Sequence, residues 1–176
     1  PLLVIVSLAL AGWTLVRSRA WQDNHTLFTT DIKTSDRSAK LLNAMGGDLV
    51  TSAQAEKNPE IKRQMLVEAQ GYLKRALEIH PNYKLSYLLL GNSHFHLQEM
   101  DQPITYYRHV LKMDPAYNEG RRNLGVALRE AGKIQGEKNH NLTGAISLLE
   151  EALTYLPEDF MTYHLLGVAY GQGGET

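Results

Sequence analysis

Regularly spaced glycines and prolines predict an all-α solenoid of antiparallel helix hairpins, with an apolar helix in front of it. Four segments align without gaps: AKLLNAMGGDL from Ala39, KLSYLLLGNSH from Lys84, NEGRRNLGVAL from Asn118 and FMTYHLLGVAY from Phe160. Each has glycine at its eighth place, at Gly46, Gly91, Gly125 and Gly167. The first three are each followed by a second amphipathic run that ends in proline, at Pro81, Pro115 and Pro157. Pro81 to Pro115 and Gly91 to Gly125 are both 34 residues, a period at which a helix-turn-helix unit repeats.

Taken in order, residues 1–19 are expected to form a transmembrane helix. PLLVIVSLALAGWTLV has no charge and no polar stripe and stops at Arg17 and Arg19. At about 1.5 Å per residue its sixteen residues reach roughly 24 Å, short of the ~30 Å hydrocarbon core by about one turn, as for a span whose first turn is missing. Trp13 and Trp21 would mark one interface. The chain opens without methionine and stops at Thr176 just after a helix-like run, so it reads as a piece of a longer protein. Residues 20–38 hold a junction and a lone capping helix from Trp21 to Lys33, with Phe28 at its large apolar place.

The hairpins follow at 39–83, 84–117 and 118–159, and 160–176 holds the first helix of a fourth. Glycine lets the first helix approach the second closely. Small or compact residues face it at Ala69, Pro103, Ala145, Ala76, Val110 and Ala152, with Leu73, Tyr107 and Leu149 between them. Proline then stops each second helix. Gly46 to Gly91 exceeds the period by 11 and Pro115 to Pro157 by 8, which places polar inserts between the two helices of the first and third hairpins, around TSAQAEKNPEI and KIQGEKNHNLT. Pro103 is tolerable in the first turn of its helix. The pattern gives no packing role to Arg121.

This glycine, alanine and proline register resembles the tetratricopeptide (TPR) repeat, and the resemblance implies a TPR superhelical solenoid. Its concave surface is lined by places two, five, nine and twelve of each first helix. The candidate peptide groove is therefore Lys40, Asn43, Leu85, Leu88, Asn92, Phe95, Arg122, Arg129 and His164, with Gly47, Val50, Glu119, Val126, Met161, Val168 and Gly171 also facing inward. An apolar patch at Leu85, Leu88 and Phe95 beside Arg122 and Arg129 would suit an extended peptide with an apolar anchor and an acidic group. Leu85 and Leu88 packing on a neighbouring repeat is the equal alternative.

The junction RSRAWQDNHTLF followed by SAKLLNAMG is similar to that of the transmembrane and TPR-containing O-mannosyltransferase-like proteins, with a bacterial texture. The matching residues are Arg17, Trp21, Leu27, Phe28, Ser38, Ala39, Lys40, Asn43 and Gly46. The resemblance implies a parent that transfers sugar to protein, its acidic catalytic motif upstream of this chain and its repeats on the extracytoplasmic side. Arg17 and Arg19 by themselves favour a cytoplasmic repeat domain. A membrane-tethered adaptor without an enzyme is the other reading. Both inserts share the turn edge with Trp21, where they could face the membrane part.

Direct signs of chemistry are few. A net charge of −1 argues against nucleic acid as a partner, and the absence of cysteine excludes disulfides and thiolate sites. His94 and His96 are expected at the groove or surface and Glu150 and Glu151 on a solvated face; neither pair converges as catalysis or a metal demands. No catalytic residue, cofactor or metal site is expected in this chain, and the enzymatic status of a parent stays open. Asn24-His25-Thr26 and Asn141-Leu142-Thr143 fit glycosylation acceptors at the frequency chance allows.

Overall fold

The computed structural model describes residues 2–18, 21–138 and 140–174. Among them the chain forms nine α-helices: α1 Leu2–Ser18, α2 Asn24–Asp31, α3 Ala39–Ala55, α4 Pro59–Ile79, α5 Lys84–His96, α6 Asp101–Met113, α7 Asn118–Glu137, α8 Leu142–Tyr155 and α9 Phe160–Gly173. Helices α3–α4, α5–α6 and α7–α8 pair as hairpins. Each first helix also packs on the second helix before it, so the hairpins stack into a solenoid.

Local chemistry sets the boundaries. Ser38, Asn58, Asn141 and Asp159 cap α3, α4, α8 and α9 by accepting backbone N–H groups that have no partner inside the helix. Pro59 then opens α4 where its missing N–H costs nothing. At the other ends, His80, Asp114 and Leu156 leave helical geometry immediately before Pro81, Pro115 and Pro157. The proline ring crowds the residue before it out of the α region.

Two buried clusters form the core. Leu49, Val50, Ala53, Leu66 and Ala69 fill the first hairpin, and Leu88, Ile104, Tyr107, Val110, Leu124 and Leu128 join the second to the third. A Cβ added to Gly46 would sit 2.5 Å from Leu73 Cγ, and one on Gly91 would run into the Tyr107 ring. These are the close approaches expected at the eighth place.

In the third hairpin the expected pairing is corrected. Leu149 packs against Gly132, with the Ala145 carbonyl beside it as the Ala69 carbonyl lies beside Gly46, while Gly125 meets Leu156. The hairpin has slid by one heptad, two turns of helix. The inserts explain this: they form no long loops but lengthen the helices, to 17 and 21 residues in α3 and α4 and to 20 in α7, against 13 in each of α5 and α6. Nearly all of the later insert joins α7, so α8 meets α7 one heptad further along. Arg121 also acquires a role, with its guanidinium 5.6 Å from the Tyr155 ring centre.

The front of the chain departs from expectation. The capping helix is the shorter α2: Asp23 caps it, it packs on α3, and Trp21 lies outside it, exposed. Helix α1 has 17 residues and is about 25 Å long. Among the described residues no helix is long and apolar enough to cross a membrane, so the transmembrane helix expected over 1–19 is not found; Pro1 and Arg19 lie outside the described residues. Among the described residues helix α1 is not closely packed on another helix. It buries no residue, and Arg17 joins it to Asp31 of α2 at 2.6 Å.

Candidate functional site

The concave face between α3, α5 and α7 holds a cavity of about 320 Å³ lined by Gln54, Asn92, Phe95, His96, Tyr107, Glu119, Arg122, Asn123 and Val126. Its floor is a polar relay. Asn92 Oδ1 accepts from the Tyr107 hydroxyl at 2.7 Å and from Asn123 Nδ2 at 3.0 Å, which ties both helices of the second hairpin to the first helix of the third. Burial, with Glu119 adding to it, pushes the Tyr107 hydroxyl well above the ordinary tyrosine range, so it remains a donor. At one end the Gln54 amide lies 3.0 Å from His96 Nε2. An amide N–H can only donate, so Nε2 accepts; burial and then nearby Lys62 hold this imidazole below its usual value, in the neutral form.

The residues proposed from the sequence separate into groups. Asn92, Phe95 and Arg122 line the cavity together, and Arg122 is exposed and makes no ion pair among the described residues. Lys40 and His164 are exposed outside it, His164 stacked on Phe160. Leu85 stays 39% exposed beside the groove. Leu88 is not a groove residue: it is 1% exposed, in the core between the second and third hairpins. Asn43 is buried as well, accepting from Ser86 Oγ at 2.8 Å to join the first helices of two hairpins.

Arg129 is occupied rather than free. It binds Asp159 at 3.1 Å and Glu130 at 3.0 Å, and Asp159 also caps α9 through Thr162. Burial works against the Asp159 charge, but hydrogen bonds from Thr162 and Arg129 outweigh it and hold the carboxyl below its ordinary range. His94, expected at the groove or surface, is buried against Tyr106 with Nδ1 2.5 Å from Glu99. Among the described residues no cluster of metal-ligating side chains forms.

Gln54, Tyr107 and Asn123 were not placed in the groove by the sequence, and His96 was placed only at the groove or surface. Tyr107 reads as a packing residue, and only its hydroxyl crosses to the concave side. Asn123 was missed because equal places on successive helices do not meet: Asn92 at the ninth place pairs with Asn123 at the sixth, and Asn43 at the fifth with Ser86 at the third. The offset is two to three places along the helix.

Residues 85–117, the second hairpin at the centre of this groove, match the family model of the tetratricopeptide repeat. The chain carries a TPR repeat region. Among solved structures the TPR region resembles MamA, with 17% identity and a TM-score of 0.54 over 84% of this chain and 75% of that one. A second MamA structure gives 14% identity and a TM-score of 0.55 over 97% and 82%. TTC0263, a thermophilic TPR protein of Thermus thermophilus, gives 19% and 0.55 over 93% and 94%. At such identities the likeness concerns the fold alone. No curated protein matches the sequence.

Proposed function

We propose that this chain is a protein-interaction scaffold that holds an extended protein segment in its concave groove. The observation that carries the reading is the cavity at Asn92, Phe95 and Arg122: a part-apolar wall, a guanidinium with no ion pair among the described residues, and a polar floor in which Tyr107 and Asn123 both donate to Asn92 Oδ1. Binding of extended peptides, followed by fluorescence anisotropy, tests it. Phe95→Ala and Arg122→Glu should each weaken binding at least about tenfold with circular dichroism unchanged, as for groove hot spots. Equal affinity in both variants would place the site elsewhere.

The groove would serve as the extracytoplasmic acceptor-binding arm of a glycosyltransferase-like membrane parent, a reading supported by the junction residues Arg17, Trp21, Leu27, Phe28 and Gly46. A membrane-tethered adaptor with no enzymatic part is the second reading, and it needs only the groove and α1. Both put α1 in the apolar part of a membrane. Support comes from its composition: apart from Ser7 and Thr14 it is apolar up to Arg17, and it exposes Leu2, Leu3, Leu8, Leu10 and Trp13, and a helix this apolar suits an apolar surrounding better than a one-sided partner. Flotation of the whole chain with phosphatidylcholine vesicles tests this. Leu8→Asp with Leu10→Asp should abolish flotation, since each carboxylate costs roughly 2.5–3.5 kcal/mol at mid-membrane. A membrane-impermeant label on a cysteine at Lys138 in intact cells then separates the extracytoplasmic arm from a cytoplasmic adaptor.

A further inference from the structure

The second hairpin is the short one. Helices α5 and α6 have 13 residues each, while α3 and α4 on one side and α7 on the other are longer by one to two turns. The long helices therefore stand as walls on either side of the α5–α6 turn, and a cleft of about 520 Å³ opens between them. Its floor is Phe95, His96, Gln98 and Met100; Lys62 of α4 forms one wall and Lys133 and Ile134 of α7 the other. Phe95 and His96 also line the concave cavity. The two cavities therefore adjoin at these side chains.

The charges around the cleft are uneven. Lys62, Lys133 and Lys138 line it and make no ion pair among the described residues. Against these three ammonium groups stand two carboxylates, Glu137 and Glu130, the latter bound to Arg129, which Asp159 shares. His96 adds no charge while Gln54 donates to it. Between the cations lie the apolar surfaces of Phe95, Met100 and Ile134.

We infer that this cleft is a second binding surface for an acidic peptide leaving the concave groove, with an apolar side chain on Phe95, Met100 and Ile134 and carboxylates at Lys62 and Lys133. The inference rests on the scaffold reading and deepens it by giving the bound segment a path and a charge. The walls supply specificity that a solenoid of equal hairpins would lack. Carboxylates on the peptide meet lysines that outnumber the carboxylates of the lining and make no ion pair among the described residues, and opposite charge at such a site speeds encounter and rejects basic segments.

The probe is a short fluorescein-labelled peptide in which Asp and Leu are separated by Ser and Gly, compared with its Lys-for-Asp counterpart. Anisotropy is read on the whole chain, on Lys62→Glu with Lys133→Glu, and on Arg122→Glu. The chain has no cysteine, so Gln98→Cys carrying an environment-sensitive dye reports locally from the cleft floor. The acidic probe should bind, the basic one should not, the lysine reversal should weaken binding at least roughly tenfold, and the dye should respond on binding. Unchanged affinity in the lysine variant with loss in Arg122→Glu would overturn the cleft and leave the groove standing, as would a silent dye. A wild-type chain that prefers the basic probe would overturn the acidic partner, and one that binds neither probe would overturn the cleft.

Discussion

The eighth place of the repeat should respond to one substitution with opposite signs in different hairpins. Glycine to alanine in a helix gains about 1 kcal/mol of propensity wherever it is made. At Gly91 the added Cβ meets three atoms of the Tyr107 ring closer than 3.0 Å. Tyr107 is 2% exposed, packed by Leu88, Val110 and Leu124, and held at its hydroxyl by Asn92, so the ring cannot turn aside. Overpacking of that kind costs about 1–3 kcal/mol, and the upper end fits a rigid ring, leaving a net loss of roughly 2 kcal/mol for Gly91→Ala. At Gly167 nothing lies within 4 Å of the new Cβ, so Gly167→Ala should keep the whole gain of about 1 kcal/mol. Thermal unfolding followed at 222 nm converts these to a fall of about 4–8 °C and a rise of about 2–4 °C for a chain of this size. Gly132→Ala should resemble Gly91→Ala, because its Cβ would lie 2.8 Å from Leu149 Cγ. A Gly132→Ala variant as stable as wild type would refute the slid pairing of α7 with α8, and a Gly167→Ala variant that melts early would refute the open space at that place.

Gln98 holds φ of 61° at the end of α5, with Gln98 N–H on the Phe95 carbonyl and Glu99 N–H on that of His94. Gln98→Gly should therefore stabilise the chain by roughly 1 kcal/mol in urea titration, since glycine alone adopts this backbone freely. Asn92→Ala leaves the buried Tyr107 hydroxyl and the Asn123 amide without their acceptor and should cost about 1–3 kcal/mol, Tyr107→Phe less; a double-mutant cycle that shows no coupling would deny the relay. Because Tyr107 titrates above its unfolded value of 10.0, the unfolded chain loses that proton first. Its contribution is intact below about pH 10 and falls by up to about 1.4 kcal/mol per pH unit above it, a slope that Tyr107→Phe should reduce. Asp159 is displaced downward, so its contribution is complete above the ordinary carboxylate range and is lost as pH falls through it; Asp159→Asn should flatten that acid limb of the stability curve.

Much of this molecule was legible in the residues. Pro81, Pro115 and Pro157 end helices because the ring acts on the residue beside it, and Ser38, Asn58 and Asp159 begin them by bonds spanning two or three residues. The buried faces Ala69–Leu73–Ala76 and Ala145–Leu149–Ala152 follow from helical periodicity alone. The groove was legible at its middle, in Asn92, Phe95, Glu119, Arg122 and Val126. Leu88 and Asn43 were lost to packing between hairpins and Arg129 to Asp159, because equal places on stacked helices are offset in ways a one-dimensional register does not carry.

The sequence by itself therefore determined which segments are helices, where they stop and which faces they bury, since all of these depend on neighbours within a turn or two. The tertiary structure alone decided how far one helix slides along the next. Gly125 and Gly132 lie one heptad apart, as do Leu142, Leu149 and Leu156, so a slide of two turns presents the same pattern of small and large residues to the seam. The uninterrupted helical bonding of α7 as far as Glu137 and the start of α8 at Leu142 select the longer overlap. The same added length beside a short second hairpin opens the cleft at the turn edge.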